Sequence, residues 1–312
     1  MDKKSSFKRK FNIGLTLATT LHEYIDFLNK YKEYIYSVYF SLPLGEKFHT
    51  RKIISQQFET YKNRELFWDL LKLSVENDIR IELVLNTYSL TSDDIYLAKN
   101  TLIQHNIKVD SISILDNYYA QVSSLFPNTP LVYSFNNTAN LKDIKEIDKL
   151  KDRYAVCVFG RSYLRNNEVF EKYRKTNLRV SVLLNNGCSF NCKTCYKAKD
   201  CFSTFSQNLQ IHEIEYLYAL QSIMPFELYD GTLDMSVIDI LKVSNRSSSL
   251  MYLKRCLDSY LNNSTVSYLN ENTQNYHLWC RLRHFSDYYN HMSLDKIIMY
   301  KEKLLGHKVQ VT

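Results

Sequence analysis

Hydrophobic and polar positions along the chain alternate between two patterns. Short apolar runs, rich in β-branched and aromatic residues and typical of buried strands, are followed by longer segments with apolar residues at helical spacing. The pattern predicts eight strands, at residues 11–17, 34–41, 80–86, 110–115, 130–135, 153–159, 178–185 and 237–243. Helices are predicted after most of them, most clearly at residues 65–75, 167–175 and 249–261. Another helix is predicted to begin after an N-cap at Thr91 or Ser92.

The alternation of strands and helices predicts a parallel α/β fold. Eight strands within roughly 250 residues suit a (β/α)8 TIM-type barrel, and a doubly wound open sheet is the alternative. After residue 261 the pattern is helical and tyrosine-rich, which predicts a C-terminal helical extension. We therefore divide the chain into a basic N-terminal tail (1–10), a barrel (11–262) and a C-terminal helical cap (263–312).

The composition excludes a disordered protein and two kinds of phosphate-binding motif. With 45% hydrophobic and 23% charged residues, the 312-residue chain is suited to a sizeable core and not to a disordered protein. Its six glycines are scattered, whereas a P-loop or a dinucleotide fingerprint needs glycines close together so that backbone amides approach phosphate. Neither motif is present.

The net charge of +7 belongs mostly to the first ten residues, which contain five basic residues and one acidic residue. No basic stripe elsewhere indicates a nucleic-acid partner. No apolar run is long enough to span a membrane. Polar residues interrupt residues 11–21 and no clear cleavage site follows, which does not fit a signal peptide. We therefore expect a cytoplasmic protein whose thiols are reduced or metal-bound.

Four of the seven cysteines fall within fourteen residues, with the spacing C-x3-C-x2-C-x5-C: Cys188, Cys192, Cys195 and Cys201. Thiolates this close together can bind one soft metal centre. Zinc sites usually combine two C-x2-C-type pairs separated by a longer loop, whereas tight runs of cysteine are more typical of iron–sulfur clusters. The spacing therefore favours a [4Fe-4S] cluster, with zinc or unliganded thiols as alternatives.

The cysteine cluster directly follows the seventh predicted strand. In a barrel it would lie on the carboxyl-terminal face, where the active sites of this fold are built. Cys157, inside the sixth predicted strand, could reach the same face, although a lone buried cysteine more often packs in the core. Cys256 and Cys280 lie in predicted helices and are expected to be packing residues.

The first three cysteines also match the C-x3-C-x2-C signature of radical S-adenosylmethionine enzymes, in which three thiolates leave one iron open for that cofactor. In that superfamily the motif usually follows the first barrel strand, and an aromatic residue precedes the last cysteine. Here the motif follows the seventh predicted strand, Thr194 precedes Cys195, and Cys201 could close the open iron. A radical enzyme that uses Cys188, Cys192 and Cys195 is therefore an alternative.

A second resemblance covers more of the chain, roughly residues 80–260. The segments IMPFEL (223–228) and ILKVSNR (240–246) are similar to a Pro-x-x-Leu element and a following Leu-Lys-Ile-x-Gly-Arg-like strand of peptidase family U32. The segment VFGR (158–161) is similar to the strand that precedes them in that family. Asn245 stands where the family usually has Gly, so the turn after the strand is expected to differ.

The resemblance to family U32 implies a TIM-type barrel that holds a [4Fe-4S] cluster. The better understood members of the family resemble oxygen-independent hydroxylases, which act in ubiquinone biosynthesis and on RNA bases, the latter with prephenate as oxygen donor. The eight histidines of this chain are scattered, and no Ser-His-Asp or Cys-His arrangement recommends a peptidase.

Polar residues at the carboxyl ends of the predicted strands would line such a site. The cofactor-binding candidates are Arg161, Asn86, Asn136 and Asn245, and Tyr88, Asn137, Asn185 and Asn186 lie at similar positions. The catalytic candidates are Arg246, Lys242 and Glu227. The Arg246 guanidinium can bind a carboxylate or phosphate through two hydrogen bonds, and Glu227 would serve as an acid or base if it is buried.

The sequence thus predicts a cytoplasmic iron–sulfur enzyme similar to family U32, with redox, hydroxylation or group-transfer chemistry at its cluster. Its substrate would be a small molecule, a peptide or a nucleoside, with an electron-donor protein as a further partner. The alternative is a non-catalytic barrel that acts through a partner. In such a protein, zinc or an iron–sulfur cluster would only stabilise the structure as a metal staple.

Overall fold

The eight predicted strands form one closed barrel in the computed structural model of the chain. Their bounds are Phe11–Gly14 (β1), Ile35–Phe40 (β2), Arg80–Leu85 (β3), Ser111–Ile114 (β4), Leu131–Tyr133 (β5), Val156–Val158 (β6), Arg179–Leu183 (β7) and Ile238–Val243 (β8). Each strand pairs in parallel with the next, and β8 pairs with β1. The predicted (β/α)8 barrel is therefore confirmed. The open doubly wound sheet is wrong, because the β8–β1 pairing leaves no edge strand.

The structure describes residues 6–49, 56–87, 89–134, 147, 149–158, 167–185, 223–244, 248–265, 267–268, 298–300, 302–303, 306 and 308. Six α-helices lie among these residues: Leu21–Tyr31 (α1), Tyr61–Glu76 (α2), Ser92–Gln104 (α3), Tyr119–Leu125 (α4), Asn167–Arg174 (α5) and Leu250–Leu261 (α6). Short 3-10 helices lie at Glu46–Phe48, Asp116–Tyr118 and Pro225–Leu228.

Side-chain caps define where several helices begin. The Thr20 hydroxyl accepts a hydrogen bond from the Glu23 amide, and the Glu23 carboxylate accepts one from the Thr20 amide, which forms a capping box at the start of α1. Thr91, not Ser92, is the N-cap of α3, and it forms the same box with Asp94. These caps satisfy backbone N–H groups that have no partner inside the helix.

The strands are shorter than the apolar runs that predicted them. Strand β1 ends at Gly14 although Leu15 and Leu17 are buried, and β6 contains only Val156–Val158. Burial at Leu15 and Leu17 therefore continues past the last paired residue of β1. Helix α2 begins earlier than predicted because Thr60 caps a polar first turn that carries no hydrophobic periodicity.

Successive residues in each strand point alternately to the helices and to the barrel interior. On β3, Ile81, Leu83 and Leu85 belong to the large core between barrel and helices, and Glu82 lies between them on the opposite face. A smaller apolar cluster fills part of the interior and consists of Val132, Val156, Val158 and Ile240, with Tyr36 packed against it. The interior is therefore apolar around β5, β6 and Ile240 of β8, and polar around Asn12, Glu82 and Lys242.

The second half of the predicted basic tail is packed against the amino-terminal end of the barrel. Phe7 is 2% exposed, the Arg9 guanidinium donates to Asp78, and the Lys10 ammonium donates to the Ile238 carbonyl at 2.7 Å. The predicted helical cap at residues 263–312 falls mostly outside the described residues and stays a prediction. In the part of the chain that the structure describes, no helix has the length and apolar character to cross a membrane.

Candidate functional site

An ion pair between Glu82 on β3 and Lys242 on β8 crosses the barrel interior. The Lys242 ammonium donates to Glu82 Oε1 at 2.8 Å, and the two side chains are 13% and 6% exposed, Lys242 being the more exposed. Strands β3 and β8 are not neighbours, since β1 and β2 lie between them. The contact therefore runs through the inside of the barrel and not along the sheet.

Asn12 on β1 completes the surroundings of the Glu82 carboxylate. Its Nδ2 donates to Glu82 Oε2 at 3.0 Å and to the Ser37 hydroxyl at 2.5 Å. A carboxylate only accepts hydrogen bonds, so the amide nitrogen of Asn12 must face Glu82, which fixes the orientation of the amide. Both oxygens of Glu82 are thus occupied, one by Lys242 and one by Asn12.

Tyr39 on β2 covers one side of the Lys242 ammonium. The nitrogen lies 4.2 Å from the centre of the Tyr39 ring, a favourable cation–π geometry. The Tyr39 hydroxyl donates to the Val243 carbonyl at 2.8 Å, which ties β2 to the end of β8 and fixes the ring. Lys242 is thereby held between a carboxylate and an aromatic face.

The positive charge of Lys242 is neutralised by the negative charge of Glu82 inside the barrel. Removing two ions from water costs several kcal/mol for each, and their attraction repays this only when the geometry is good and the remaining polar atoms are hydrogen-bonded. The Glu82 carboxylate meets both conditions through Lys242 and Asn12. The arrangement can therefore hold a cationic hydrogen-bond donor at a fixed position inside the barrel.

Two further contacts join polar groups beyond the carboxyl ends of the strands. Asn86 Nδ2, just past β3, donates to the Ser134 hydroxyl beyond β5 at 3.1 Å. The Thr16 hydroxyl, two residues after β1, donates to the Ser248 carbonyl that precedes α6. Asn86 was predicted as a cofactor-binding residue; it lies at this end of the barrel, and its binding role stays a prediction.

Asn185 fixes the start of the segment that leads to the cysteines. Its Nδ2 donates to the Tyr252 hydroxyl at 2.6 Å and to the Ser244 carbonyl, and its Oδ1 accepts from the Ser244 amide at 2.6 Å. One side chain thus joins the chain beyond β7 to the chain beyond β8 and to α6. Cys188 follows three residues later in the sequence.

Cys157 packs on the helix side of the barrel. It belongs to the core between barrel and helices, and its Sγ lies 3.4 Å from the Tyr173 hydroxyl on α5. Burial raises the pKa of the Cys157 thiol to about 12, which keeps it protonated at neutral pH. Cys256 is also fully buried in this core, as the sequence predicted.

Glu227 is fully buried in the 3-10 helix Pro225–Leu228. Its carboxylate accepts from the Met224 amide at 2.7 Å, a cap of its own turn. Lys242, the other predicted catalytic residue described by the structure, is hydrogen-bonded to Glu82 instead. Lys242 and Glu227 therefore have different partners. A catalytic role for Glu227 stays a prediction.

The other predicted site residues fall outside the described residues: Cys188, Cys192, Cys195, Cys201, Asn136, Arg161, Asn245 and Arg246. Within the described ranges, no group of three or more His, Cys, Asp or Glu side chains is arranged to hold a metal ion. Metal binding therefore stays a prediction that concerns the cysteines.

Sequence reasoning selected Lys242 but missed its partners, Glu82, Asn12 and Tyr39. The sequence does mark Glu82 as unusual, because it is the one charged residue among the apolar residues that follow Arg80 in β3. Lys242 has the same relation to Ile240, Leu241 and Val243 in β8. A charged residue between apolar neighbours in a buried strand needs a polar or oppositely charged partner, so the sequence could have indicated that Glu82 and Lys242 each have one, but not that they meet.

Comparison with known proteins gives similarity at the level of the fold. No model of a protein family and no curated protein matches the sequence. Among solved structures, that of the U32 peptidase Mk0906 has a TM-score of 0.46 at 10% identity and covers 76% of this chain and 92% of its own. The tryptophan synthase α-subunit of Pyrococcus furiosus has a TM-score of 0.45 at 13% identity and covers 85% of this chain and 95% of its own. Both TM-scores are below 0.5, and the assignment of a closed barrel rests on the strand pairing of this chain.

Proposed function

We propose that this protein is an iron–sulfur enzyme built on a (β/α)8 barrel, with its cluster held by Cys188, Cys192, Cys195 and Cys201. The observation that carries the proposal is topological. Strand β7 ends at Leu183, and the four cysteines follow in the segment between β7 and β8. A segment that leaves the carboxyl end of a barrel strand belongs to the face where this fold carries its active sites.

The donor set fits a cluster. Four thiolates within fourteen residues match the ligands that iron–sulfur clusters use, and hard ions such as Mg²⁺ prefer oxygen ligands. When bound, the cluster would supply electron transfer, or Lewis acidity at an iron if one thiolate is absent. The Asn185 contacts with Ser244 and Tyr252 support the proposal, because they fix the start of the segment by contacts that need no metal.

The barrel interior supplies the second part of the proposed site. Lys242, held by Glu82 and Tyr39, would bind and orient an electron-rich group of the substrate. Arg246 would bind an anionic group of the substrate, and Arg161, Asn86, Asn136 and Asn245 are retained as further ligand-binding candidates. The reaction would be a redox step with electrons from a donor protein, a group transfer, or an oxygen-independent hydroxylation. In the hydroxylation, an organic oxygen donor would give up its oxygen and be reduced as the substrate is oxidised.

The proposal is tested by purifying the protein without oxygen and measuring iron, sulfide and zinc for each chain. We expect about four irons and four sulfides per chain, and an EPR signal after reduction. Zinc without iron would contradict the proposal and favour the metal-stapled barrel. A spectrum that changes when S-adenosylmethionine is added would favour the radical enzyme, in which three cysteines hold the cluster.

Single Cys→Ala variants then identify the ligands. Replacing Cys188, Cys192 or Cys195 should abolish the cluster, and an intact cluster in Cys201→Ala would remove Cys201 from the site. The matched control is Cys256→Ala, because Cys256 is buried among core residues. That variant should keep its iron even where its stability falls.

A further inference from the structure

The Asn12 side chain carries a buried acceptor that its neighbours leave unused. Asn12 is 1% exposed, and its Nδ2 is occupied by Ser37 and Glu82. Among the described residues, none donates a hydrogen bond to Asn12 Oδ1. A buried polar atom without a partner costs roughly 1–3 kcal/mol, so such an atom in a native interior calls for a ligand or an ordered water.

Lys242 offers donors next to this acceptor. Its ammonium carries three N–H groups, of which the hydrogen bonds within the described residues use one, to Glu82. Asn12 and Lys242 are register partners on the adjacent strands β1 and β8. Both side chains contact Glu82, so they lie on the same, inner face of the sheet. An acceptor and a cationic donor are thus neighbours inside the barrel.

The Tyr39 ring covers part of the mouth side of Asn12 and Lys242. Gly14, the next residue of β1 on the same face, has no side chain, and its register partner Tyr39 reaches across to the Val243 carbonyl. Lys242 lies one residue before the end of β8, and its side chain is 13% exposed to solvent. The Lys242–Asn12 pair therefore lies toward the carboxyl-terminal mouth.

The charge of the cluster selects the class of ligand. Glu82 neutralises Lys242, and a carboxylate ligand on Lys242 would come close to the Glu82 carboxylate in an interior of low dielectric constant, where like charges repel strongly. A neutral group with a carbonyl oxygen next to an N–H meets no such repulsion. Its oxygen would accept from Lys242, and its N–H would donate to Asn12 Oδ1.

We infer that Lys242 and Asn12 form a subsite for an uncharged amide, lactam or ureide group, and that Glu82 is the residue that positions both. Glu82 contacts each of them through one oxygen and would not touch the ligand. The subsite does not depend on the cysteines, so it is distinct from the proposed cluster and can be tested without it.

The probe is 2-pyrrolidinone, a small lactam with a carbonyl beside an N–H. Ligand-observed NMR titration should give saturable binding with a dissociation constant of about 1–10 mM, as befits six heavy atoms. N-methyl-2-pyrrolidinone keeps the carbonyl and lacks the N–H, so it should bind about tenfold more weakly, the effect of one lost hydrogen bond. Acetate, which carries the charge that Glu82 disfavours, should bind more weakly than the lactam.

The protein variant removes the donor while it keeps the site neutral. The double substitution Glu82→Gln with Lys242→Met retains an acceptor for Asn12 and leaves no buried unpaired charge, so the fold should survive, as circular dichroism would verify. It should weaken lactam binding about tenfold. Ser113→Ala on β4, another buried residue of the barrel, is the control and should bind like the wild type.

Several results would overturn the inference. These are equal binding of the lactam and its N-methyl analogue, tighter binding of acetate, retention of lactam binding by the folded double variant, and no saturable binding of any probe. The last result would assign Asn12 Oδ1 to an ordered water. Repeating the titration on Cys188→Ala should leave lactam affinity unchanged, so failure of the cluster proposal and failure of this one are separate outcomes.

Discussion

Removing one member of the Glu82–Lys242 pair should destabilise the fold far more than removing both. At 2.8 Å and an effective dielectric constant of about 20, the attraction between two unit charges is about 6 kcal/mol. The cost of taking two ions out of water offsets most of this, so the net contribution of the pair is small. A single substitution loses the attraction and leaves the other ion buried at its full desolvation cost.

We therefore expect Glu82→Gln and Lys242→Met each to lower the free energy of unfolding by about 3–5 kcal/mol, and the double variant to stay within about 1–2 kcal/mol of the wild type. Urea denaturation followed by circular dichroism measures all four proteins, and the double-mutant cycle gives the coupling energy. An additive cycle, in which the double variant loses the sum of the single losses, would refute the argument.

The exposed pair Lys30–Asp258 provides the matched control. Its atoms are 3.2 Å apart, but its side chains are 61% and 41% exposed. Solvent screens such a pair and also hydrates each charge that is left alone, so Lys30→Met should change the free energy of unfolding by less than about 1 kcal/mol. A loss at Lys30 as large as the loss at Lys242 would show that burial is not the cause.

Three further predictions concern other parts of the chain. Thr20→Ala should lower the free energy of unfolding by about 1 kcal/mol, because it removes the cap of α1, and Thr20→Ser should restore most of it in urea denaturation. The pKa of Cys157 is about 12 in the folded chain against 9.0 for the free thiol, so only the unfolded state loses this proton above pH 9. Stability should accordingly fall by about 1.6 kcal/mol between pH 9 and pH 10.5 through this residue. A pH series of denaturation curves should lack that contribution in Cys157→Ala. Asn185→Ala should reduce the iron retained on gel filtration without unfolding the barrel, whereas unchanged iron would separate the Asn185 contacts from the cysteines.

The fold was predictable because two local signals repeat around the whole barrel. Apolar strand patterns recur eight times, and Thr or Ser residues mark helix starts, as at Thr20, Thr91 and Ser249. The count of eight strands favoured a closed barrel over an open doubly wound sheet, and the pairing of β8 with β1 decides between them. The ends of the strands were not predictable to the residue, because hydrophobic burial continues past the last pairing hydrogen bond, as at Leu15 and Leu17.

The site was only partly predictable, since its contacts join residues far apart in the sequence. Lys242 and Glu82 are 160 positions apart, and Asn12 is 70 positions from Glu82. No local pattern reports which inward-facing residues of non-neighbouring strands will meet, because this depends on barrel closure and register. Asn185 was expected only as a polar residue at a strand end. Its bonds to Ser244 and Tyr252 depend on β7 lying next to β8 and on the position of α6.

The residue that precedes the cysteine-bearing segment, Asn185, is hydrogen-bonded to the chain at the carboxyl end of β8. Lys242 lies inside the barrel, and the Asn185 side chain accepts a hydrogen bond from the amide of Ser244, two residues later, and donates one to its carbonyl. The segment that carries the cysteines thus begins at a residue bonded to the strand that carries the interior cation. Because the Tyr39 hydroxyl also holds the Val243 carbonyl between them, the backbone from Lys242 to Ser244 has little freedom to move. A ligand bound at Lys242 would therefore be held at a strand end of fixed geometry, which is what the precise positioning of a substrate requires.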